Sequence, residues 1–185
     1  MKLLIASDIH GSAYYCRKLL EAYEQSGAQK MVLLGDVLYH GPRNDLPKEY
    51  APKEVIRMLN EHKDEIYAVR GNCEAEVDQM VLEFPVLADY MLLMLGNRTV
   101  YATHGHVYHE NHLPPMKKGD ILLHGHTHVL RAEEKGEILI WNPGSTSIPK
   151  EGNPPTYAIL ETNEQGSGTF RILDFEGNTV KEMNL

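Results

Sequence analysis

Three histidines stand within the five residues HGHTH, at His124, His126 and His128. This stretch directly follows the apolar run DILL, which is typical of a buried strand. On a strand, alternate side chains share one face, so the three imidazoles could simply line a solvent-facing edge. At a turn beyond the strand they could instead converge on a metal ion, because imidazole is a common ligand of transition metals. Taken alone, the stretch leaves both interpretations open.

Polar clusters also follow the other apolar runs of the chain. They are Asp8 and His10 after KLLIAS, Asp36 and His40 after KMVLLG, Arg70, Asn72, Cys73 and Glu74 after EIYAV, and His104 and His106 after TVYAT. Ligands of open α/β sheets bind beyond the carboxyl ends of the strands. A single aspartate before glycine is usually a turn residue. A set of Asp, His, Asp, Asn, His, His and His at successive strand ends, however, is an oxygen and nitrogen ligand set for two divalent metals, and Asp36 could bridge them through both carboxylate oxygens.

The elements that must position these residues alternate in the first half of the chain. Apolar runs at 2–7, 30–35 and 65–71 predict parallel strands, and the segment between the first two predicts a helix with Ser12 as N-cap and Gly27 as its stop. PKEVIRMLNEHKD predicts a second helix. The pattern is therefore βαβαβ.

The second half of the sequence changes to mostly β-structure. Turns at Gly96-Asn97 and Lys135-Gly136 predict two hairpins, and DILLHG predicts another buried strand. TYAILET, TFRILDF and TVKEMNL predict a C-terminal meander. We expect a single domain over residues 1–185, an α/β sandwich of two sheets.

Composition narrows the class of protein. The chain has 185 residues, 42% of them hydrophobic, and no apolar run near the roughly 20 residues of a membrane span. A net charge of -8 without a lysine or arginine tract argues against a dedicated nucleic-acid surface. Cys16 and Cys73 form no disulfide framework and no zinc-type pair. We therefore expect a cytoplasmic protein with no membrane partner.

The motifs D-x-H, GD, GNC, THGH and GHTH, in this order and at these intervals, resemble the calcineurin-like metallophosphoesterase superfamily. LGDVLYHGPRN and NPGSTSIPKEGNPPTY resemble more narrowly its bacterial YfcE-type phosphodiesterases. The resemblance extends from Lys2 to about Leu160. It implies a four-layer αββα sandwich of two mixed sheets, metallophosphoesterase type, and hydrolysis of small phosphodiester substrates.

The resemblance also implies a ligand set. Metal one would be held by Asp8, His10, Asp36 and His128, and metal two by Asp36, Asn72, His104 and His126. Manganese is implied most directly, while Fe²⁺, Co²⁺, Ni²⁺ or Zn²⁺ also suit these ligands. Two metals would activate a hydroxide that attacks the phosphorus, so no side-chain nucleophile is required. The resemblance further leaves a homo-oligomer open.

Other residues around these motifs are candidates for substrate contacts. Arg70 and His106 could stabilise the developing charge on the phosphate. His40 and Arg43 lie in the loop after Asp36, where a loop folded over the metals would touch substrate. Asn142 and Ser145 could approach a phosphate, although NPGS is first of all a turn.

Cys73 departs from the pattern of many superfamily members. They carry histidine after GN, which is generally assigned to protonate the leaving oxygen, whereas this chain reads GNCE. Cysteine is an uncommon general acid, and Cys73 could equally be packing beside Asn72. We therefore expect aryl phosphodiesters, whose leaving groups are stable anions, to react faster than alkyl monoesters.

A different class of function is a non-catalytic protein-binding scaffold on the same fold, as in the eukaryotic retromer subunit. A degraded ligand set would indicate the scaffold. Every expected metal position here carries a competent donor, so we favour the enzyme. A duplex-DNA nuclease is disfavoured by the charge of -8, whereas short or cyclic nucleotides are not excluded.

Overall fold

The computed structural model describes residues 1–185, which form eleven strands and three α-helices. In chain order these are β1 (Lys2–Ala6), α1 (Ala13–Ser26), β2 (Lys30–Leu33), α2 (Pro52–Asn60), β3 (Ile66–Ala68), α3 (Glu76–Val81), β4 (Tyr90–Leu95), β5 (Arg98–Thr103), β6 (Ile121–Leu123), β7 (Arg131–Lys135), β8 (Ile138–Asn142), β9 (Thr156–Thr162), β10 (Gly168–Asp174) and β11 (Thr179–Asn184). A short 3-10 helix at Lys63–Glu65 follows α2. No helix is both long and apolar enough to cross a membrane.

The first sheet has the order β11-β10-β9-β1-β2-β3. Its strands β1, β2 and β3 are parallel, as the βαβαβ pattern predicts, and the C-terminal meander joins it antiparallel through β9. Helix α1 begins at Ser12, whose hydroxyl accepts a hydrogen bond from Tyr15 N, and ends at Gly27 in the left-handed conformation. The predicted cap and stop are therefore confirmed.

The second sheet has the order β4-β5-β6-β8-β7 and is also mixed. Strands β5, β6 and β8 run parallel, while β4–β5 and β7–β8 are the two predicted hairpins. The parallel strands β5 and β6 each lead directly into one of the histidine motifs. The second sheet therefore delivers His104, His126 and His128, and the first sheet delivers Asp8, His10, Asp36 and Asn72.

The two sheets pack face to face over an apolar core. Trp141 and Phe170 stack at its centre with ring centroids 4.3 Å apart, and Ile5 and Leu34 are fully buried beside them. Helices α1 and α2 cover the outer face of the first sheet with a second apolar cluster. The predicted α/β sandwich of two mixed sheets is confirmed.

The outer layer over the second sheet is built without a helix. Met116 and Tyr101 pack against buried Leu122 and Ile140, and the ring of Tyr108 meets Tyr101 edge-on at 5.7 Å. The segment 104–120 therefore forms this layer as a loop. Its ten residues from Gly105 to Pro114 include three histidines and a proline and show no helical apolar spacing, which accounts for the absence of a helix.

Candidate metal centre

The ends of β1 and β6 bring three of the predicted ligands together. The Nε2 atom of His128 lies 3.2 Å from Asp8 Oδ1 and 3.2 Å from His10 Nε2. His10 Nε2 in turn lies 3.5 Å from Asp8 Oδ1. All three side chains are buried. One oxygen and two nitrogens thus face a common point.

A second group lies at the ends of β3, β5 and β6. His104 Nε2 is 3.1 Å from Asn72 Oδ1 and 3.2 Å from His126 Nδ1. The same nitrogen is 3.4 Å from Asp36 Oδ1. This group offers an amide oxygen, a carboxylate oxygen and two imidazole nitrogens.

Asp36 stands between the two groups and presents one oxygen to each. Its Oδ2 lies 3.7 Å from His10 Nε2, and its Oδ1 faces His104. Oδ1 also accepts a hydrogen bond from Cys73 N at 2.9 Å. A carboxylate divided in this way has the geometry of a ligand shared by two metal ions.

Backbone carbonyl groups determine which ring nitrogen of three histidines faces the site. The Nδ1 atoms of His10, His104 and His128 lie 2.7, 2.6 and 2.7 Å from the carbonyl oxygens of Tyr39, Leu34 and Ile148, respectively. A carbonyl only accepts, so each Nδ1 must donate its proton. In the neutral ring the Nε2 lone pair is then left for a metal, which is the usual arrangement of ligating histidines.

The backbone itself is strained at this site. Positive φ is uncommon outside glycine, yet five of the seven such residues in the chain are predicted ligands. They are Asp8 (58°), His10 (50°), Asp36 (54°), His126 (65°) and His128 (60°). Strained conformations of this kind persist where the surrounding structure enforces them, and they concentrate at functional sites.

Glu74 enforces the position of the Asp36 loop. Its buried carboxylate accepts hydrogen bonds from Asp36 N and Val37 N, each at 2.8 Å, and from Gly71 N at 2.5 Å. A side chain at Gly71 would collide with Asp36 Oδ1, so only glycine lets the two loops approach. Glu74 had no role in the sequence interpretation, because its three partners are backbone groups that only the fold brings together.

The NPGSTS segment supports the site from behind. Asn142 Nδ2 donates to Gly125 O at 2.9 Å and to Thr127 Oγ1 at 3.1 Å, which holds the HGHTH turn. Ser145 Oγ donates to Asp8 O at 3.0 Å. Both side chains are fully buried. Asn142 and Ser145 therefore position ligands, as expected of a turn, and do not face the cavity.

Nearby charges shift the pKa values of two histidines in opposite directions. Burial lowers the pKa of His104, but the carboxylates of Asp36 and Asp8 outweigh it and raise this pKa from 6.5 to about 9. Burial and the nearby His104 lower the pKa of His126 to about 4. Burial raises the pKa of Asp8, whereas contacts with His10 and His128 bring it well below its ordinary value. Without metals the site is therefore held together by a protonated histidine and two carboxylates.

A divalent cation fits these residues. Asp8 Oδ1 is buried without a hydrogen-bond partner, although its other oxygen accepts from Ser7 Oγ at 2.6 Å and from His126 N at 3.1 Å. Buried polar atoms are rarely left unpaired, so this oxygen calls for a further partner. Ligand atoms of Asp8, His10 and His128, and likewise those of Asp8, Asp36 and His104, lie within 4.8 Å of one another.

A cavity of about 460 Å³ opens onto the two groups. Its lining includes Asp36, Asn72, His126 and His128 from the centre, together with Gly41, Pro42, Arg43, Asn44, Cys73, Thr127 and Lys150. Of the residues predicted to contact substrate, Arg43 lines the cavity. Lys150 and Thr127 were not singled out from the sequence, since nothing in their spacing distinguishes them from surface residues.

Three other predicted residues lie outside this lining. The ring of His40 packs against Tyr39 and Tyr50, with centroids 4.8 and 5.1 Å away. The backbone N of Arg70 donates a hydrogen bond to Ala88 O. His106 is exposed beside the second group, 5.4 Å from His104 between ring centroids. His40 thus packs within its own loop, and its contact with substrate stays a prediction.

Cys73 lies at the edge of the cavity, half-buried. Its Sγ is 3.2 Å from Asn72 Nδ2, and its pKa is raised by burial and then by the negative charge of Asp36. Such a thiol stays protonated at neutral pH and is a weak acid. The geometry thus places Cys73 near the site without making it a good proton donor.

Comparison with known proteins identifies the family of the chain. Residues 1–165 match the calcineurin-like phosphoesterase superfamily domain. The chain is 51% identical over 163 residues to phosphodiesterase YfcE of Escherichia coli K12, covering 88% of this chain and 89% of that protein. The solved structure of YfcE, described as a phosphoesterase from E. coli, aligns with a TM-score of 0.93 and 45% identity over 99% of this chain and 98% of its own.

More distant structures share the fold alone. Vps29 of Entamoeba histolytica aligns with a TM-score of 0.64 at 22% identity, covering 100% of this chain and 99% of its own. Identity at this level carries no information about the site. The family match over residues 1–165 and the 51% identity to YfcE show that this chain belongs to the calcineurin-like phosphoesterase superfamily.

Proposed function

We propose that the chain is a metal-dependent phosphodiesterase, a phosphoric diester hydrolase, acting on small phosphodiesters at a site for two divalent metal ions. The observation that carries the proposal is the division of Asp36, whose two carboxylate oxygens face two separate groups of donors. The 51% identity to a protein named phosphodiesterase supports the reaction class.

In this proposal, Asp8, His10, Asp36 and His128 would hold one ion, and Asp36, Asn72, His104 and His126 would hold the other. When bound, the ions supply the positive charge that lowers the pKa of a water towards neutrality and offsets the charge of the phosphate oxygens. Hard oxygens and imidazoles together suit divalent transition metals, and Mn²⁺ is the one that the family resemblance implies most directly, with Fe²⁺, Co²⁺, Ni²⁺ or Zn²⁺ as alternatives.

The chain's own groups complete the proposed mechanism. The Nδ1 hydrogen bonds of His10, His104 and His128 keep the rings in place, so the donors need not reorganise during reaction. Arg43 lines the cavity and contacts the substrate. His106 is exposed at the edge of the second group, where partial desolvation and the nearby His104 lower its pKa, so the neutral form that can donate a hydrogen bond is favoured.

Cys73 and Arg70 have subordinate roles in the proposal. The Cys73 thiol lines the cavity where the leaving group departs, but its raised pKa makes protonation of an alkoxide slow. Substrates with stable leaving anions are therefore favoured. Arg70 acts through its charge on His106, whose pKa it helps to lower.

Cellular location and assembly are also part of the proposal. Cys16 and Cys73 are both free thiols, consistent with a cytoplasmic location. Residues 1–185 act as a single metallophosphoesterase domain, and assembly into a homo-oligomer is compatible with it. The scaffold alternative is disfavoured because an interaction protein does not need a complete set of metal ligands held in strained backbone conformations.

The experiment is metal add-back. Protein stripped with chelator is supplied separately with Mn²⁺, Mg²⁺, Zn²⁺ or Ca²⁺ and assayed with bis(p-nitrophenyl) phosphate and p-nitrophenyl phosphate. We expect turnover of the diester with Mn²⁺ to exceed that of the monoester, and little turnover with Ca²⁺. Absence of turnover with every metal would favour the scaffold instead.

A further inference from the structure

Two positive side chains stand at the cavity without a negative partner. Some other exposed cations of the chain, such as Arg17 and Lys135, pair with glutamates. Arg43 and Lys150 form no ion pair, although both line the cavity. The only carboxylate in the lining is Asp36, which faces the two histidine groups. In a chain of net charge -8, this leaves the mouth of the site locally positive.

The two cations belong to loops that are fastened to the site itself. Lys150 N donates to His128 O at 3.1 Å, and two residues earlier Ile148 O accepts from His128 Nδ1. The next turn holds Lys150 as well, since Asn153 Nδ2 donates to Lys150 O at 2.8 Å. Glu151, the next residue, is electrostatically coupled to Arg131 and does not line the cavity.

The loop that carries Arg43 is fastened on the other side of the lining. Tyr39 O accepts from His10 Nδ1, and Asn44 Nδ2 donates to His40 O at 2.8 Å. A Cβ placed on Gly41 would lie 3.6 Å from Cys73 Sγ, so the loop packs directly against the GNC segment. The backbone of each cation's loop is thus held against a different histidine of the centre, which reduces the reorganisation that binding a ligand would require.

The charge at the site exceeds what a simple diester needs. In the proposed site, two divalent ions held by Asp8 and Asp36 already balance a hydroxide and the single negative charge of a phosphodiester. Arg43 and Lys150 would add two further positive charges. A complementary substrate therefore carries additional negative charge beyond the scissile group.

We propose that Arg43 and Lys150 form a subsite for a second phosphate group, so that the preferred substrates are phosphodiesters bearing a terminal phosphate monoester. The inference rests on the proposed phosphodiesterase function. A guanidinium and an ammonium group together suit a dianionic phosphate, since arginine binds its oxygens in pairs and lysine adds a point charge.

The test uses a matched pair of ligands on manganese-loaded protein. Calorimetry compares thymidine 5'-phosphate with thymidine 3',5'-bisphosphate, which differ only in the second phosphate. We expect the bisphosphate to bind about tenfold or more tightly, with an advantage that shrinks as salt rises. In Arg43→Met and Lys150→Met the advantage should fall to about threefold or less. Lys118→Met, a control at an exposed lysine away from the cavity, should leave it unchanged.

Hydrolysis gives the second readout. Thymidine 5'-(p-nitrophenyl phosphate) is compared with its 3'-phosphorylated form, and the ratio of the two kcat/KM values should follow the binding advantage in each variant. Equal binding of the two nucleotides by the unmodified protein, or an advantage that survives both substitutions, would overturn the subsite. A binding advantage without any hydrolysis would instead refute the phosphodiesterase function and leave the subsite standing.

Discussion

The Oδ1 atom of Asp8 lies 3.2 Å from the Nε2 atom of His128, so a carboxylate at the end of the first sheet meets a histidine from the second. Both groups are buried, and Asp8 Oδ1 has no hydrogen-bond donor. The relationship depends on the face-to-face packing of the two sheets. Any change that shifts one sheet against the other should therefore be seen first at this site.

Asp36→Asn tests the shared ligand. An amide can present only one oxygen, so one of the two groups loses its donor. We expect kcat/KM for bis(p-nitrophenyl) phosphate to fall by more than about a hundredfold, since outer-shell changes alone typically cost about 10- to 100-fold. Metal content per chain, measured by mass spectrometry, should fall in parallel.

Asp45→Asn provides the matched control for this substitution, because Asp45 is exposed in the following loop. His126→Ala should show the same loss as Asp36→Asn, while circular dichroism shows both variants folded. Near-normal rates in Asp36→Asn and His126→Ala would contradict the two-metal proposal.

Cys73→His tests the proton donor. An imidazole near the leaving group is a far better acid at neutral pH than a thiol whose pKa is raised. The rate for an alkyl phosphodiester should rise about tenfold or more relative to an aryl diester. Cys73→Ser serves as the control, because a hydroxyl is no better an acid. An unchanged ratio of alkyl to aryl rates in Cys73→His would show that Cys73 does not limit leaving-group departure.

Proton release should accompany metal binding. The pKa of His104 is raised from 6.5 to about 9 in the metal-free site, so at pH 7.5 this histidine is protonated and must lose its proton to bind a metal. Calorimetry in buffers of different ionisation enthalpy should show release of about one proton at pH 7.5 and less above pH 9. If the number of protons released does not change between these pH values, the proton comes from a group other than His104.

The raised pKa of His104 also affects the stability of the metal-free protein. Because the folded-state pKa of His104 lies above its unfolded value, its contribution to stability is complete below pH 6.5 and is lost as pH rises towards 9. The urea midpoint of chelator-treated protein should therefore fall between pH 6.5 and 9. His104→Asn should abolish this part of the pH dependence.

Glu74→Gln tests the clamp on the Asp36 loop. In the variant, an NH₂ group takes the place of one carboxylate oxygen of Glu74 and faces backbone N–H donors. We expect the free energy of unfolding to fall by about 2–3 kcal/mol, and affinity for Mn²⁺ to fall about tenfold or more. Glu164→Gln, at an exposed turn, is the control. A variant with unchanged metal affinity but reduced stability would limit Glu74 to a structural role.

The sequence by itself determined which chemical groups follow each strand and how the first three strands are connected. Apolar runs, the Ser12 cap and the Gly27 stop are local features, and the elements appear where those features predict them. The motif series also identified the seven donors that the fold brings together. The elements could be predicted because strand ends and caps depend on neighbouring residues.

Only the tertiary structure decided how the donors are shared and what surrounds them. The division of the Asp36 oxygens, the clamp of Glu74 and the inclusion of Lys150 in the cavity depend on contacts between segments far apart in the chain. His40, close in sequence to Asp36, turned out to pack within its loop. Spacing along the chain cannot predict which atom of a side chain faces a site, because that depends on how two sheets and their loops pack.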